Sequence, residues 1–198
     1  MNLAVFFTAS RIIVAPIFAF LFIHGFRTES PLLVWGAVVC AILIELSDMF
    51  DGMIARGRKE VTDFGKVFDP VADSLSRLTV FASFLATGII PIWVFLVFLY
   101  RDVLMQLMRI LCATNGIVLA ARKSGKIKAI LQAIATFIVL AIVLAHLYTI
   151  LWMPRTVWGM HTAFWAVLGA ALYTAVSGFD YIFAHRDVIR KMLQPKNT

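Results

Sequence analysis

The residues with chemistry to offer are four aspartates. Asp48 and Asp51 stand three apart and Asp69 and Asp73 four apart, in the run Asp48-x-x-Asp51-Gly52-x-x-Ala55-Arg56, eight residues, Gly65-x-x-x-Asp69-x-x-x-Asp73. Those spacings put each pair on one face of a helix. The segments around them are greasy enough for lipid, where a carboxylate is rare unless it meets a cation. Four carboxylates converging at one depth repel each other. Two hard divalent cations would neutralise them, and an all-oxygen ligand set favours Mg²⁺ or Mn²⁺ over softer metals. Paired metals in turn suit a diphosphate, whose oxygens they bridge while a leaving group departs. Gly52 and Gly65 permit a ligand to approach the helix backbone closely, and Arg56 can pair with a phosphate or with one of the acids. The plainer alternative is a set of interfacial acids paired with Arg56, Arg58, Lys59 and Lys66.

The elements that must position these acids are membrane spans. The chain has 198 residues, 62% hydrophobic and 15% charged, with a mean hydropathy of +0.91. That composition reads as an all-α, polytopic integral membrane protein, with no soluble domain able to hide so much apolar surface. Six spans are expected at roughly 3–25, 31–55, 67–89, 91–114, 127–151 and 157–184, divided by Pro31, the polar stretch 56–66, Gly88 through Pro91, the basic stretch 122–128 and Pro154. They form one catalytic domain over residues 1–184, followed by a short basic tail over 185–198 suited to an anionic lipid surface. Trp35, Trp93, Trp152 and Trp158 fall near span ends, as interfacial aromatics do. Arg11 interrupts the first apolar run, so no cleaved signal peptide is expected. Cys40 and Cys112 lie inside apolar segments and read as buried small hydrophobes. No nucleic-acid partner is expected. The linkers after spans 2 and 4 and the tail carry twelve Lys or Arg, against only Arg27 and Arg155 on the opposite side. By the positive-inside rule both termini and both basic linkers then face the cytoplasm.

Four cations lie within the spans: Arg11, Arg77, Arg101 and Arg109. Glu45 is one turn deeper than Asp48 and Arg77 one turn deeper than Asp73, which predicts an ion-paired network of Glu45, Arg77 and Arg11. Arg101 and Arg109 in span 4, with Lys126 and Lys128 at the start of span 5, point to an anionic ligand in an interior cavity, because intramembrane cations usually face one. Arg is the better bidentate partner for a phosphate. The alternative pairs Arg101 with Asp102 and leaves the lysines as topology signals. The histidines are scattered and form no ligand set, and the Phe-rich stretches read as core packing or lipid contact.

The stretch Asp48 to Asp73 resembles, position for position, the signature of the CDP-alcohol phosphotransferase family, D-x2-D-G-x2-A-R-x8-G-x3-D-x3-D. The resemblance implies six transmembrane helices, a homodimer and a bimetallic site with two Mg²⁺ or Mn²⁺ ions facing the cytoplasm of a bacterial inner membrane. It makes Asp48, Asp51, Asp69 and Asp73 the metal ligands. It places Asp48, Asp51, Gly52, Arg56 and Gly65 around the CDP group, and it makes Asp73 the candidate general base for the acceptor hydroxyl.

Further stretches resemble bacterial phosphatidylglycerophosphate synthases: Thr8-Ala9-Ser10-Arg11, Asp69-Pro70-Val71-Ala72-Asp73, Arg101-Asp102 with Arg109, and Gly125-Lys126-Ile127-Lys128 to Gln132. This likeness runs to about residue 135 and implies CDP-diacylglycerol as donor and glycerol 3-phosphate as acceptor, with Arg101, Arg109, Lys126 and Lys128 on the acceptor phosphate. Three positions depart from it: Val5 replaces an Asn, Ser74 a Lys, and Gln106-Leu107 a Thr-Gly pair. Inositol phosphate or serine as acceptor, or CDP-choline with diacylglycerol, are alternatives within the family. A divalent-cation transporter is the alternative outside it.

Overall fold

A computed structural model describes residues 3–58, 63–114, 123–148 and 158–186. Its elements are helices throughout: α1 (Leu3–Arg27), α2 (Pro31–Arg58), α3 (Asp63–Ala86), α4 (Ile92–Thr114), α5 (Lys123–Leu147) and α6 (Trp158–Ala184). Each is 23 to 28 residues long, or roughly 35–42 Å at 1.5 Å per residue, enough to cross a bilayer. Four of them hold stretches both long and apolar enough to do so: Thr8–Arg27, Pro31–Met49, Ser124–Leu147 and His161–Ala184. The other two, α3 and α4, carry the buried Arg77 and Asp102, while the buried Arg11 and Lys128 lie on α1 and α5.

The helix ends fall close to the expected spans, with two differences, and one is that α5 begins at Lys123, inside the basic stretch 122–128 expected to divide two spans. The polar stretch 56–66 is not a long linker, because α2 continues to Arg58 and α3 begins at Asp63. Charged residues such as Arg and Lys are good helix formers, so the helices persist into the polar stretch. At the opposite end of the bundle the connections are tight. Gly88, at φ 75°, lets the chain reverse after α3, where the amide of Ile89 donates to the Phe84 carbonyl at 2.9 Å. Trp35 donates through Nε1 to the Tyr148 hydroxyl at 3.1 Å, tying α2 to the end of α5. Trp152, Pro154 and the tail beyond Arg186 lie outside the described residues.

The core explains the Phe-rich stretches. Phe18 and Phe22 of α1, Phe81 and Phe84 of α3 and Phe98 of α4 are almost fully buried. The Phe22 and Phe84 rings meet edge to face at 5.1 Å, and those of Phe81 and Phe98 stack at 4.2 Å. Phe20, Phe179 and Phe183 point outward, as lipid-facing residues would. Cys40 and Cys112 are buried and unbridged. This apolar plug fixes α1, α3 and α4 around one axis. Ion pairs and hydrogen bonds then join the start of α1, the end of α2 and the start of α3 at one end of the bundle, where the end of α4, the start of α5 and the end of α6 also meet.

Candidate active site

Two arginines organise the acids. Arg77 of α3, 5% exposed, donates through Nε to Asp73 Oδ1 at 2.8 Å and through Nη1 to Glu45 Oε1 at 3.0 Å. Its Nη2 lies 3.4 Å from Glu45 Oε2 and 3.7 Å from Asp48 Oδ2. Arg11 of α1, 2% exposed, donates through Nη1 to Asp48 Oδ1 at 3.1 Å and lies 3.9 Å from Asp73 Oδ1. The Glu45–Arg77 pair expected from the sequence is present, and Arg11 joins it through Asp48 rather than by touching Glu45. The network is not separate from the signature acids, since both arginines bridge Asp48 of α2 to Asp73 of α3. Asp69, one turn before Asp73, accepts a 2.7 Å hydrogen bond from the Thr8 hydroxyl of α1.

The structure thus brings Asp48 and Asp73 to shared partners and holds Asp69 beside them from α1. The last turns of α2 carry Asp51, Gly52 and Arg56, and the first turn of α3 carries Gly65, but their side chains lie outside the described residues. Among the described residues no three His, Cys, Asp or Glu side chains close into a metal-holding set. The donor chemistry available, carboxylate oxygens without thiolate or imidazole, still suits a hard divalent cation.

The span-4 and span-5 cations meet in a second place. A cavity of about 210 Å³ is lined by Asp73 and Ser74 of α3, Arg101, Gln106 and Arg109 of α4, and Lys126 and Lys128 of α5. Its wall is cross-braced. Asp102, 1% exposed, accepts from Arg101 Nη1 at 3.0 Å and from Lys128 Nζ at 2.6 Å, all through Oδ1. The pairing of Arg101 with Asp102 is therefore real, and Arg101 nevertheless lines the cavity. Arg109 and Lys126 are more exposed, at its mouth.

One residue of α6 lines this cavity and a second packs against Arg101 in its wall. Tyr181 lines it while 6% exposed, and its buried hydroxyl makes no hydrogen bond. Gly178, one turn earlier, lets Arg101 lie against the α6 backbone: a Cβ there would stand 3.1 Å from Arg101 Cγ. Ser124 at the start of α5 donates to Asp180 Oδ2 at 2.7 Å and anchors this end of α6. In sequence α6 shows only hydrophobicity, so neither residue was legible there.

A third feature lies on the other side of Arg77. An open groove of about 520 Å³ begins at Glu45, Asp48 and Arg77 and runs along α5 past Ile130, Ile134, Phe137 and Ile138. Ala129 lines both this groove and the cationic cavity, and its carbonyl accepts from Arg77 Nη1 at 3.3 Å. A charged cavity and an apolar groove therefore converge on one Asp–Arg cluster.

Known proteins are similar to this sequence. The profile of the CDP-alcohol phosphatidyltransferase family matches residues 1–165. A CDP-diacylglycerol–glycerol-3-phosphate 3-phosphatidyltransferase of Treponema pallidum is 37% identical over 92 residues, covering 46% of this chain and 43% of that one. The protein of the same name in Bacillus subtilis is 29% identical over 191 residues, 92% and 94% of the two chains. That of Rickettsia typhi is 32% identical over 139 residues, 70% and 76%. This chain belongs to the CDP-alcohol phosphatidyltransferase family, as a membrane-embedded transferase of phospholipid synthesis.

Proposed function

We propose that the protein transfers a phosphatidyl group from CDP-diacylglycerol to glycerol 3-phosphate, releasing CMP and forming phosphatidylglycerol phosphate. The observation that carries this reading is the cationic cavity with Asp73 in its wall. An acceptor that is itself a phosphate monoester gives Arg101, Arg109, Lys126 and Lys128 an anion to hold, as intramembrane cations require. The cavity is smaller than the roughly 300–1,000 Å³ of sites for drug-sized ligands, which suits a small polar alcohol. The synthase names of the full-length relatives agree with this pair of substrates.

The acceptor hydroxyl attacks the β-phosphorus of the donor, a new P–O bond forms, and the P–O bond to CMP breaks. Asp73, fixed by Arg77, takes the proton from that hydroxyl. The cavity brings the hydroxyl and the phosphorus together as a positioned pair. Asp48, Asp51, Asp69 and Asp73 would hold two Mg²⁺ or Mn²⁺ ions, and Asp48, Asp51, Gly52, Arg56 and Gly65 would surround the cytidine diphosphate. When bound, such metals would neutralise the diphosphate and stabilise the negative charge that develops on the departing CMP. The groove along α5 would take the donor's lipid tail sideways from the bilayer, since an acyl chain gains nothing by leaving apolar surroundings. All six helices would span the inner membrane of a bacterium, in a homodimer, with the acid end of the bundle and both termini in the cytoplasm.

The test is CMP release by the purified protein with CDP-diacylglycerol and Mg²⁺ or Mn²⁺, across glycerol 3-phosphate, inositol phosphate, inositol and serine. Release with glycerol 3-phosphate alone is expected. Asp73→Asn should lower the rate by about 10²–10⁴-fold, and a chelator should abolish release until the metal is restored. Release with another acceptor would keep the chemistry and replace the substrate. Silence with all of them would reject the reading.

A further inference from the structure

We propose that Ser74 and Gln106 form an uncharged pair that reads the acceptor hydroxyl next to the one that reacts. The inference rests on the function proposed above and extends it to how the acceptor is selected. These are two of the positions at which the chain departs from the synthase pattern, and the structure places them in contact. Gln106 of α4 donates through Nε2 to the Pro70 carbonyl and to Ser74 Oγ, the latter at 3.0 Å. A carbonyl only accepts, so the amide nitrogen must face Pro70, and both its hydrogens are committed. Gln106 Oε1 is left as an acceptor. Ser74 Oγ accepts from Gln106, so its own hydrogen is left to donate.

Both residues line the cavity that holds Asp73 and the four cations. One acceptor and one donor side by side, without charge, complement a hydroxyl group and add nothing to the binding of an anion. Ser74 follows Asp73 directly in α3 and Gln106 stands one turn from Arg109 in α4, so the pair lies between the reacting aspartate and the cations assigned to the phosphate. An acceptor with its phosphate among the cations and its terminal hydroxyl at Asp73 brings the neighbouring carbon to Ser74 and Gln106. Glycerol 3-phosphate carries a hydroxyl on that carbon. An acceptor without it leaves the pair unpartnered, and sites built to bond a hydroxyl reject such analogues.

The experiment compares kcat/KM for glycerol 3-phosphate and for 3-hydroxypropyl phosphate, which lacks only the middle hydroxyl. The wild-type enzyme is expected to favour glycerol 3-phosphate by about tenfold or more. Gln106→Met and Ser74→Ala should each bring the two acceptors towards parity by lowering the use of glycerol 3-phosphate alone. If Gln106→Met fails to fold, Ser74→Ala, which removes a single oxygen, decides the matter. An equal loss with both acceptors would mean that the pair only braces α3 against α4, and would overturn the inference. So would a wild-type enzyme indifferent to the middle hydroxyl. Failure of the wild-type enzyme to use glycerol 3-phosphate at all would instead reject the function proposed above, and the inference with it.

Discussion

The two charged regions at the active end of the bundle solve the same physical problem in opposite ways. In the acid cluster Glu45, Asp48 and Asp73 share two buried arginines, Arg11 and Arg77, so each carboxylate has a cationic partner within the protein. In the cavity beside it Arg101, Arg109, Lys126 and Lys128 gather around Asp102 and Asp73 among the described residues, and two of the cations converge on a single oxygen of Asp102. The first region keeps its shape through these pairs and, with three carboxylates on two arginines, has negative charge left for the cations proposed there. The second has, among the described residues, four cations to two acids, an excess of positive charge that suits an anionic ligand. The difference separates residues that build the site from residues that wait for the substrate, although both kinds are arginines near the ends of apolar helices.

The sharpest test of that division pairs Arg77→Ala with Arg109→Ala. Removing Arg77 strips three carboxylates of a shared buried partner, and breaking a buried ion pair from one side destabilises by about 3–5 kcal/mol. The variant should melt far below the wild type in detergent and lose activity with its fold. Arg109 is exposed and makes no ion pair among the described residues. Arg109→Ala should change stability by less than about 0.5 kcal/mol while raising KM for the acceptor. Equal melting losses in the two variants would erase the distinction between a region of internal ion pairs and one that takes a ligand.

The sequence makes the two regions unequally visible. The acid side is readable because its information is local: the i,i+3 and i,i+4 spacings place Asp48, Asp69 and Asp73 on helix faces, and one-turn offsets predict the Glu45–Arg77 pair. The helices are readable from hydropathy, because a span must be long and apolar, while α3 and α5 begin earlier than expected, inside polar stretches. On the cation side the residues are visible but their braces are not. Lys128 and Asp102 are 26 positions apart, and no periodicity links them. Gly178 and Tyr181 are hidden more deeply, since an apolar helix shows nothing in its composition of the neighbour it was cut to fit. Long-range packing, unlike spacing, leaves no local trace.

Asp102→Asn probes the brace on the cation side. The amide keeps one acceptor oxygen for Arg101 and Lys128 but removes the charge that lets two cations share it. Hydrogen bonds to charged groups contribute about 1.5–3 kcal/mol, so a moderate loss of stability is expected, smaller than for Arg77→Ala. The more informative readout is kinetic. With Arg101 and Lys128 no longer held together, KM for the acceptor should rise roughly tenfold, about 1.4 kcal/mol, while KM for CDP-diacylglycerol stays where it was. A matching rise for the donor would mean that the two regions are one electrostatic unit.

The smallest expected effect is also the one in which stability and function should part. Gly178 lies inside α6, where glycine costs a helix about 0.8–1 kcal/mol relative to alanine. On propensity alone Gly178→Ala should stabilise the protein. The new methyl would, however, stand 3.1 Å from Arg101 Cγ, close enough to push that side chain by a few tenths of an ångström. Arg101 is held at its other end by Asp102 and cannot yield freely. The displacement therefore falls on the guanidinium in the cavity, and KM for the acceptor should rise roughly threefold, about 0.6 kcal/mol, with melting unchanged or slightly higher. That opposite movement is what a ligand-awaiting region predicts, because strain introduced there is felt by the substrate before it is felt by the fold. A variant that lost stability and left KM untouched would place Arg101 with the braces of the bundle instead.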